Sequence, residues 1–197
     1  MIFFQDVAIG YIINKQRNTI FNNLNLSLKP GINAVIGPSG SGKSTFLMCL
    51  LKLKEVWHGN IKFSKKFNIS YISQENELID NLTVFENVYW QALTKHNPQE
   101  AKENTIKLLN RLNIYHLEKR ADCLSGGQKQ RVALARGLVT NPDLIIADEI
   151  TSQLDEKTAN LIINLISEVA KDTLVVIATH DQKIMNTADN IINLSKV

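Results

Sequence analysis

Only two cysteines occur in the 197 residues, Cys49 and Cys123, far apart and in no metal-ligand spacing. That rules out a disulfide framework or a thiolate metal cluster as the organising element, and both thiols are expected to be free in a reducing compartment. Proline is scarce, with 4 residues, so no proline-rich linker interrupts the chain. No apolar run approaches the roughly 20 residues needed to cross a bilayer. The strongest, Leu174-Val175-Val176-Ile177-Ala178, fits a buried strand. The opening Met1-Ile2-Phe3-Phe4-Gln5-Asp6 lacks the basic region and long apolar stretch of a secretory signal, so a soluble cytoplasmic chain is expected. The net charge of +3 is too small to indicate nucleic acid, and Lys62, Lys65 and Lys66 read as a solvated face. There is no internal repeat. What remains, 44% hydrophobic and 21% charged residues over one domain's length, is enough for a sizeable core.

Against that ordinary background two glycine-rich loops stand out. Gly37-Pro38-Ser39-Gly40-Ser41-Gly42-Lys43-Ser44-Thr45 satisfies G-x-x-x-x-G-K-[ST]. In that pattern glycines let successive backbone N–H groups turn inward around phosphate oxygens, and lysine adds a mobile positive charge. Lys43 is expected to reach the β- and γ-phosphates of ATP, and Ser44 to place its hydroxyl on Mg²⁺. The context agrees: Ala34-Val35-Ile36 reads as a short apolar strand before the loop, and Phe46 to Leu51 as a buried helix after it. That helix points its positive dipole end at the anion. The second loop, Leu124-Ser125-Gly126-Gly127-Gln128, also opens a helix, because Ser125 and Gln128 form a capping box.

Apolar strands alternate with helical patterns, the mark of a mainly parallel sheet covered by helices. Residues 2–8, 23–28, 59–63 and 69–73 read as strands, the last leading to Gln74. The pattern then turns helical: Thr83 with Glu86 makes a capping box, Asn97-Pro98-Gln99-Glu100 combines an N-cap, a first-position proline and an acidic third position, and Ala101, Thr105, Leu108, Leu109 and Leu112 share one helical stripe. Residues 75–124 therefore form a helical subdomain inserted into a core of residues 1–74 and 125–197. Within that core, strand 144–147 ends at Asp148-Glu149, a helix covers 155–170, and strand 173–179 ends at His180.

Parallel sheets place ligands beyond the carboxyl ends of their strands. The first glycine loop, Gln74, Asp148-Glu149 and His180 all follow apolar strands, so they can converge although scattered in sequence. Two adjacent carboxylates at a buried strand end cost desolvation energy unless a cation stands before them. Mg²⁺ would supply that charge, and the pattern of P-loop ATPases assigns Asp148 to its shell, largely through water, which leaves Glu149 expected to orient and deprotonate the attacking water. His180 donates to the γ-phosphate and holds Glu149 in line, while Gln74 touches the metal's water shell and the helical insert. Ser125, Gly126, Gly127 and Gln128 form a second anion site, which makes sense if it closes over the γ-phosphate from another copy of the chain.

These residues resemble the nucleotide-binding subunit of an ATP-binding cassette (ABC) transporter over nearly the whole chain, with Gly37 to Thr45 as Walker A, Leu124 to Gln128 as the LSGGQ loop, and Leu144 to Asp148 as Walker B. The resemblance implies a P-loop NTPase α/β fold: a RecA-like, mainly parallel core with N-terminal antiparallel strands and the helical insert. It makes Gln74 the Q-loop, His180 the switch histidine, Ser152-Gln153-Leu154-Asp155 the D-loop facing the partner's Walker A, and Tyr11 the aromatic that stacks on adenine. Ile150 stands where the family has proline in D-E-P-T-S, and Gln153 where it has a small residue. The implied partners are a second cassette, a homodimer being expected, and transmembrane permease subunits. Membrane association runs through the permease alone, on the cytoplasmic face. Residues 75–86, with Leu78, Ile79, Leu82, Val84 and Phe85, are the expected permease contact. The wording around Arg120 to Ser125 and Ala178 to Asp181 resembles the macrolide-efflux, lipoprotein-release and peptide-export group, hence an export or resistance role. The alternative, a soluble ABC ATPase acting on ribosomes or DNA, is expected to bring two cassettes or a long coiled coil, neither of which is seen here.

Overall fold

The computed structural model of the chain describes residues 1–196 other than 76 and 153, without the side chains of Ile13 and Lys196. Gln153, one of the two departures noted above, thus lies outside the described residues.

Five strands form a parallel sheet in the order β5-β6-β7-β3-β8: β5 Ile69–Ile72, β6 Leu144–Asp148, β7 Leu174–Ala178, β3 Gly31–Ile36 and β8 Asn190–Asn193. The register sets Asp148 and Val35 on either side of Ala178, so the strand ends stand level. The central strands are buried on both faces, which is why they read as unbroken apolar runs. Ile145, Ala147, Val175 and Ile177 pack with helices α4 (Gly126–Leu138) and α5 (Glu156–Val169). Their neighbours Leu144, Ile146, Leu174 and Val176 face the other way, onto Phe46 and Leu50 of helix α1 (Lys43–Leu50) and Phe4 of strand β1. Each such fully buried side chain contributes about 1.5–3 kcal/mol over its exposed state, so the sheet is a rigid base for its terminal loops.

A second, antiparallel sheet of order β2-β1-β4 covers that second layer: β1 Ile2–Ile13, β2 Gln16–Leu28 and β4 His58–Phe63. Here β1 and β2 run well past the expected residues 2–8 and 23–28. The stretch between is a continuous hairpin closed by Asn14 and Lys15, with φ of 51° and 63°. Two left-handed residues match the strand twist in a tight hairpin, and Asn-Lys is a weaker written signal than Asn-Gly. Strand β8 and the short helix α6 (Gln182–Thr187) were also not foreseen, four and six residues being too few to show a period.

Helices α2 (Val84–Ala92) and α3 (Pro98–Arg111) occupy the region after β5, and both pack against α4. Both expected capping boxes are present, at Thr83 with Glu86 and Ser125 with Gln128, and the expected N-cap Asn97 forms a third with Glu100. Cys49 is a core residue whose thiol is pushed up to about 11 by burial, and Cys123 is exposed. Among the described residues no helix is long and apolar enough to cross a membrane.

Candidate active site

Helix α1 starts at Lys43 because Gly42 caps it in a left-handed conformation with φ of 93°. A side chain there is excluded twice: by the backbone angle, and by Ile20 Cγ2 standing 2.4 Å from where a Cβ would be. Gly42 has no side chain to bond the first amides of α1, so they remain free for an anion. The loop before it arches over Pro38, Ser39 and Gly40, all exposed, and closes with Ser41 N donating to Pro38 O at 3.2 Å. Lys43 folds back and donates from Nζ to Gly37 O at 2.8 Å and Pro38 O at 3.2 Å. The Ser41 hydroxyl is buried with no hydrogen-bond partner, and Ser44 is exposed beside it. Buried polar atoms are normally paired, so this loop is shaped for a ligand with oxygens to bind.

The next two strands bring the acids and the histidine. At the end of β6, Asp148 is half-buried; burial raises its carboxyl above the ordinary value, the Glu149 charge adds to this, and Lys43 opposes it. Glu149 takes a φ of 47° and donates its backbone N–H to Ala178 O at 2.9 Å, anchoring the turn to β7. Proline at the next position would press Glu149 toward extended angles. Ile150 instead leaves this conformation available and buries its own side chain in the core. Ser152 donates from its hydroxyl to Glu149 O at 2.7 Å, and Thr151 from its hydroxyl to Asp181 Oδ2 at 2.7 Å. The first bond tightens the turn after β6 and the second locks it to the turn after β7, where His180 Nδ1 comes within 3.1 Å of Glu149 Oε1. A cavity of about 240 Å³ lies between them, lined by Glu149, Thr151, Ser152, Thr179, His180 and Asp181. Thr151 and Asp181 had no role in the sequence reading. Their only signal was position, each one or two residues from an assigned group.

Gln74 is exposed in the turn two residues past β5, which neighbours β6, so it leaves the sheet at the same edge as Asp148. Tyr11, from the hairpin, reaches the first loop: its hydroxyl is 3.1 Å from Thr45 Oγ1. The second glycine motif is elsewhere. Ser125 Oγ accepts from Gln128 N at 3.4 Å, and Gln128 Oε1 accepts from Ser125 N at 3.0 Å. Arg131 fastens this end of α4 to the end of α3 through Leu112 O at 2.8 Å. Among the described residues no hydrogen bond joins 124–128 to 37–45. Around Gly126 there is open space where a Cβ would stand. Asp155 is committed locally, accepting from Thr158 N at 3.0 Å and from the Thr158 hydroxyl at 2.7 Å as the cap of α5. Larger clefts of about 750 and 390 Å³ lie between β2 and β8 and between α3 and α5, and neither is lined by residues of the two glycine loops. The convergent residues form an open face rather than an enclosed pocket.

Residues 21–152 match the ABC transporter family. The chain is 39% identical over 176 residues to the phosphonates import ATP-binding protein PhnC 2 of Synechococcus sp., covering 76% of this chain and 65% of that protein, so it spans just under two thirds of that relative's length. It is 37% identical over 198 residues to the lipoprotein-releasing system ATP-binding protein LolD of Rickettsia prowazekii, covering 91% of this chain and 90% of the other. Its fold superposes with a TM-score of 0.88 on the dimeric post-hydrolysis structure of the ATP-binding cassette MJ0796 bound to ADP and Pi, at 28% identity over 98% of this chain and 94% of that one. With those motifs at those strand ends, the chain belongs to the ABC transporter family and carries its ATP-binding, ATPase cassette.

Proposed function

We propose that this cassette powers a membrane transporter of the release or export type, working as a head-to-tail pair of copies around two ATP molecules. The observation that carries the catalytic part is the strand order. The ends of β5, β6, β7 and β3 are consecutive across the sheet, so Gln74, Asp148, Glu149, His180 and the Lys43 loop share one edge. The division into a core of residues 1–74 and 125–197 and a helical subdomain of 75–124 belongs to the same reading.

The residues present fit Mg²⁺-ATP. An unpartnered buried hydroxyl at Ser41, free amides at α1 and an amine on Lys43 suit a polyphosphate. Ser44, Gln74 and Asp148 supply oxygens for the cation, whose charge would offset the cost of ionising Asp148 beside Glu149. Bound Mg²⁺ would neutralise charge developing on the phosphoryl oxygens. Lys43 exchanges its loop carbonyls for the β- and γ-phosphates, Thr45 and the residues from Gly37 to Gly42 wrap the remaining oxygens, and Tyr11 stacks on the adenine. Glu149 orients water and takes its proton; His180 donates to the γ-phosphate.

The trans role of Ser125, Gly126, Gly127 and Gln128 is supported by Gly126. Neither crowding inside the chain nor a left-handed angle calls for glycine there, and the open space leaves room for a phosphate of another copy to approach its backbone. Asp155, the cap of α5, is assigned to the same seam in this reading. For the permease, Ile79 and Trp90 are each 57% exposed, and Phe85, Tyr89 and Trp90 form a continuous aromatic run. Val84, by contrast, is fully buried and belongs to the core. The release-type reading draws on the LolD relative, which aligns with more of this chain than the phosphonate importer does.

Complementation tests the pair. Lys43→Ala keeps the second motif and Ser125→Arg keeps the first, so mixing the two inactive proteins rebuilds one intact composite site per heterodimer. Turnover should return on mixing; a mixture as inactive as its parts refutes the head-to-tail arrangement. Copurification with a membrane permease tests the transport role, and ATPase activity stimulated by ribosomes or DNA instead would overturn it.

A further inference from the structure

Two contacts hold the ring of Tyr11, and neither belongs to the roles proposed above. Its hydroxyl is tied to Thr45 Oγ1 at 3.1 Å, and the ammonium of Lys54 lies 3.9 Å from the ring centroid, over one face. Lys54 sits four residues past the end of α1, on the segment leading to β4. A cation so placed is attracted by the negative face of the ring. It also takes up the layer a stacked heterocycle needs: the stacked pair Phe4 and Phe46 stands only 5.0 Å apart between centroids. Ammonium and base cannot share that face. Tyr11 is 36% exposed and Lys54 only partly buried, so the pair stands at the protein surface.

We propose that Lys54 is a placeholder for the nucleotide base: it caps Tyr11 in the nucleotide-free cassette and is displaced when the base stacks. This rests on the reading of Tyr11 as the adenine platform. Lys54 then acts against base binding alone. Its general attraction for phosphate is felt equally by any polyphosphate, so the two effects separate when ATP is compared with a ligand that has no base.

The test is Lys54→Ala, with titration calorimetry of Mg²⁺-ATP and of Mg²⁺-tripolyphosphate. The ratio of ATP to tripolyphosphate affinity is expected to rise about two- to fivefold, the strength of one exposed cation–π contact, and the gain should vanish in a Tyr11→Ala background. An unchanged or lower ratio in Lys54→Ala, while Tyr11→Ala alone weakens ATP, overturns the placeholder and leaves the platform standing. If Tyr11→Ala leaves ATP affinity untouched, the platform itself is wrong and the placeholder falls with it.

Discussion

His180 Nδ1 stands 3.1 Å from Glu149 Oε1, joining the groups at the ends of two neighbouring strands. A carboxylate only accepts, so Nδ1 is the donor, and a neutral imidazole donating there has only a lone pair left on Nε2. Such a ring cannot donate to a γ-phosphate at the same time. Donation to a γ-phosphate therefore requires that the ring turn from Glu149 or carry a proton on both nitrogens.

Glu149→Gln removes the base while keeping the size and the hydrogen-bonding capacity that faces His180. Turnover should fall by roughly 10²-fold or more, as expected for loss of a general base. ATP binding should survive, and ATP-bound dimers should accumulate. Single-turnover hydrolysis and light scattering read the two effects; wild-type hydrolysis in this variant would remove Glu149 from its role.

Asp148 yields a prediction of opposite sign for stability and for ligand binding. Its folded pKa is raised, chiefly by burial and then by Glu149. The protonated form is therefore favoured in the folded state. That stability is present below the ordinary value of 3.8 and is lost as pH rises through the raised folded pKa. At neutral pH the ionised carboxylate is a liability without a cation. Asp148→Asn should raise the nucleotide-free melting temperature at pH 7 by about 2 °C or more, and flatten its dependence on pH above 4. The same variant should lose the extra stabilisation that wild type gains from Mg²⁺-ATP. Thermal melts with and without ligand across pH check both halves.

Much of this fold was legible because its signals are local. The helix caps at Thr83, Asn97 and Ser125 are each written in four residues, and all three formed. The buried strands 144–148 and 174–178 were visible as unbroken apolar runs between polar ends. The hairpin from residue 9 to 22 was not, since both strands there are largely exposed and lack alternation, and their turn is Asn-Lys. Among site residues, those in motifs were identified, whereas the hydrogen bond from Thr151 to Asp181 spans 30 positions and follows only from β6 lying beside β7. Lys54 was equally hidden: nothing in a lysine after a helix announces an aromatic ring 43 positions earlier.

Lys43 spends its amine on two carbonyls of its own loop, Gly37 O and Pro38 O. Lys43→Ala should therefore cost little stability, since the loop carbonyls are near solvent, yet it should weaken Mg²⁺-ATP by at least about tenfold through loss of a charge-assisted contact. Calorimetry and a melt of the nucleotide-free protein separate the two. Unchanged affinity would count against the phosphate assignment.

Ser125 has both a local and a proposed remote role, and two substitutions divide them. Ser125→Ala removes the oxygen that accepts from Gln128 N and should cost about 1 kcal/mol of stability, the usual loss for a helix cap. Ser125→Arg places bulk and charge at the exposed start of α4. It should abolish ATP-driven dimers in the Glu149→Gln background while the monomer still binds ATP. Dimers that persist in the double variant would argue against the trans site.

Gly10 offers a way to move Tyr11 without altering it. The β1–β2 register shifts between Ile9 and Gly10, and a Cβ on Gly10 would lie 2.0 Å from Asn18 O and 2.8 Å from Trp57 Cη2. The first is backbone and cannot swing aside, so Gly10→Ala must part the strands at the residue before Tyr11. Overpacking of this kind typically costs about 1–3 kcal/mol. The phosphate loop leaves β3, whose ladders with β7 and β8 do not involve the hairpin, so it is anchored from its own side although Gly42 also packs against Ile20 and Phe21 of β2. Affinity for ATP should therefore fall while affinity for tripolyphosphate holds. Equal losses for both ligands would mean that the hairpin braces the phosphate loop itself, and that base and phosphate recognition are not separable parts of this site.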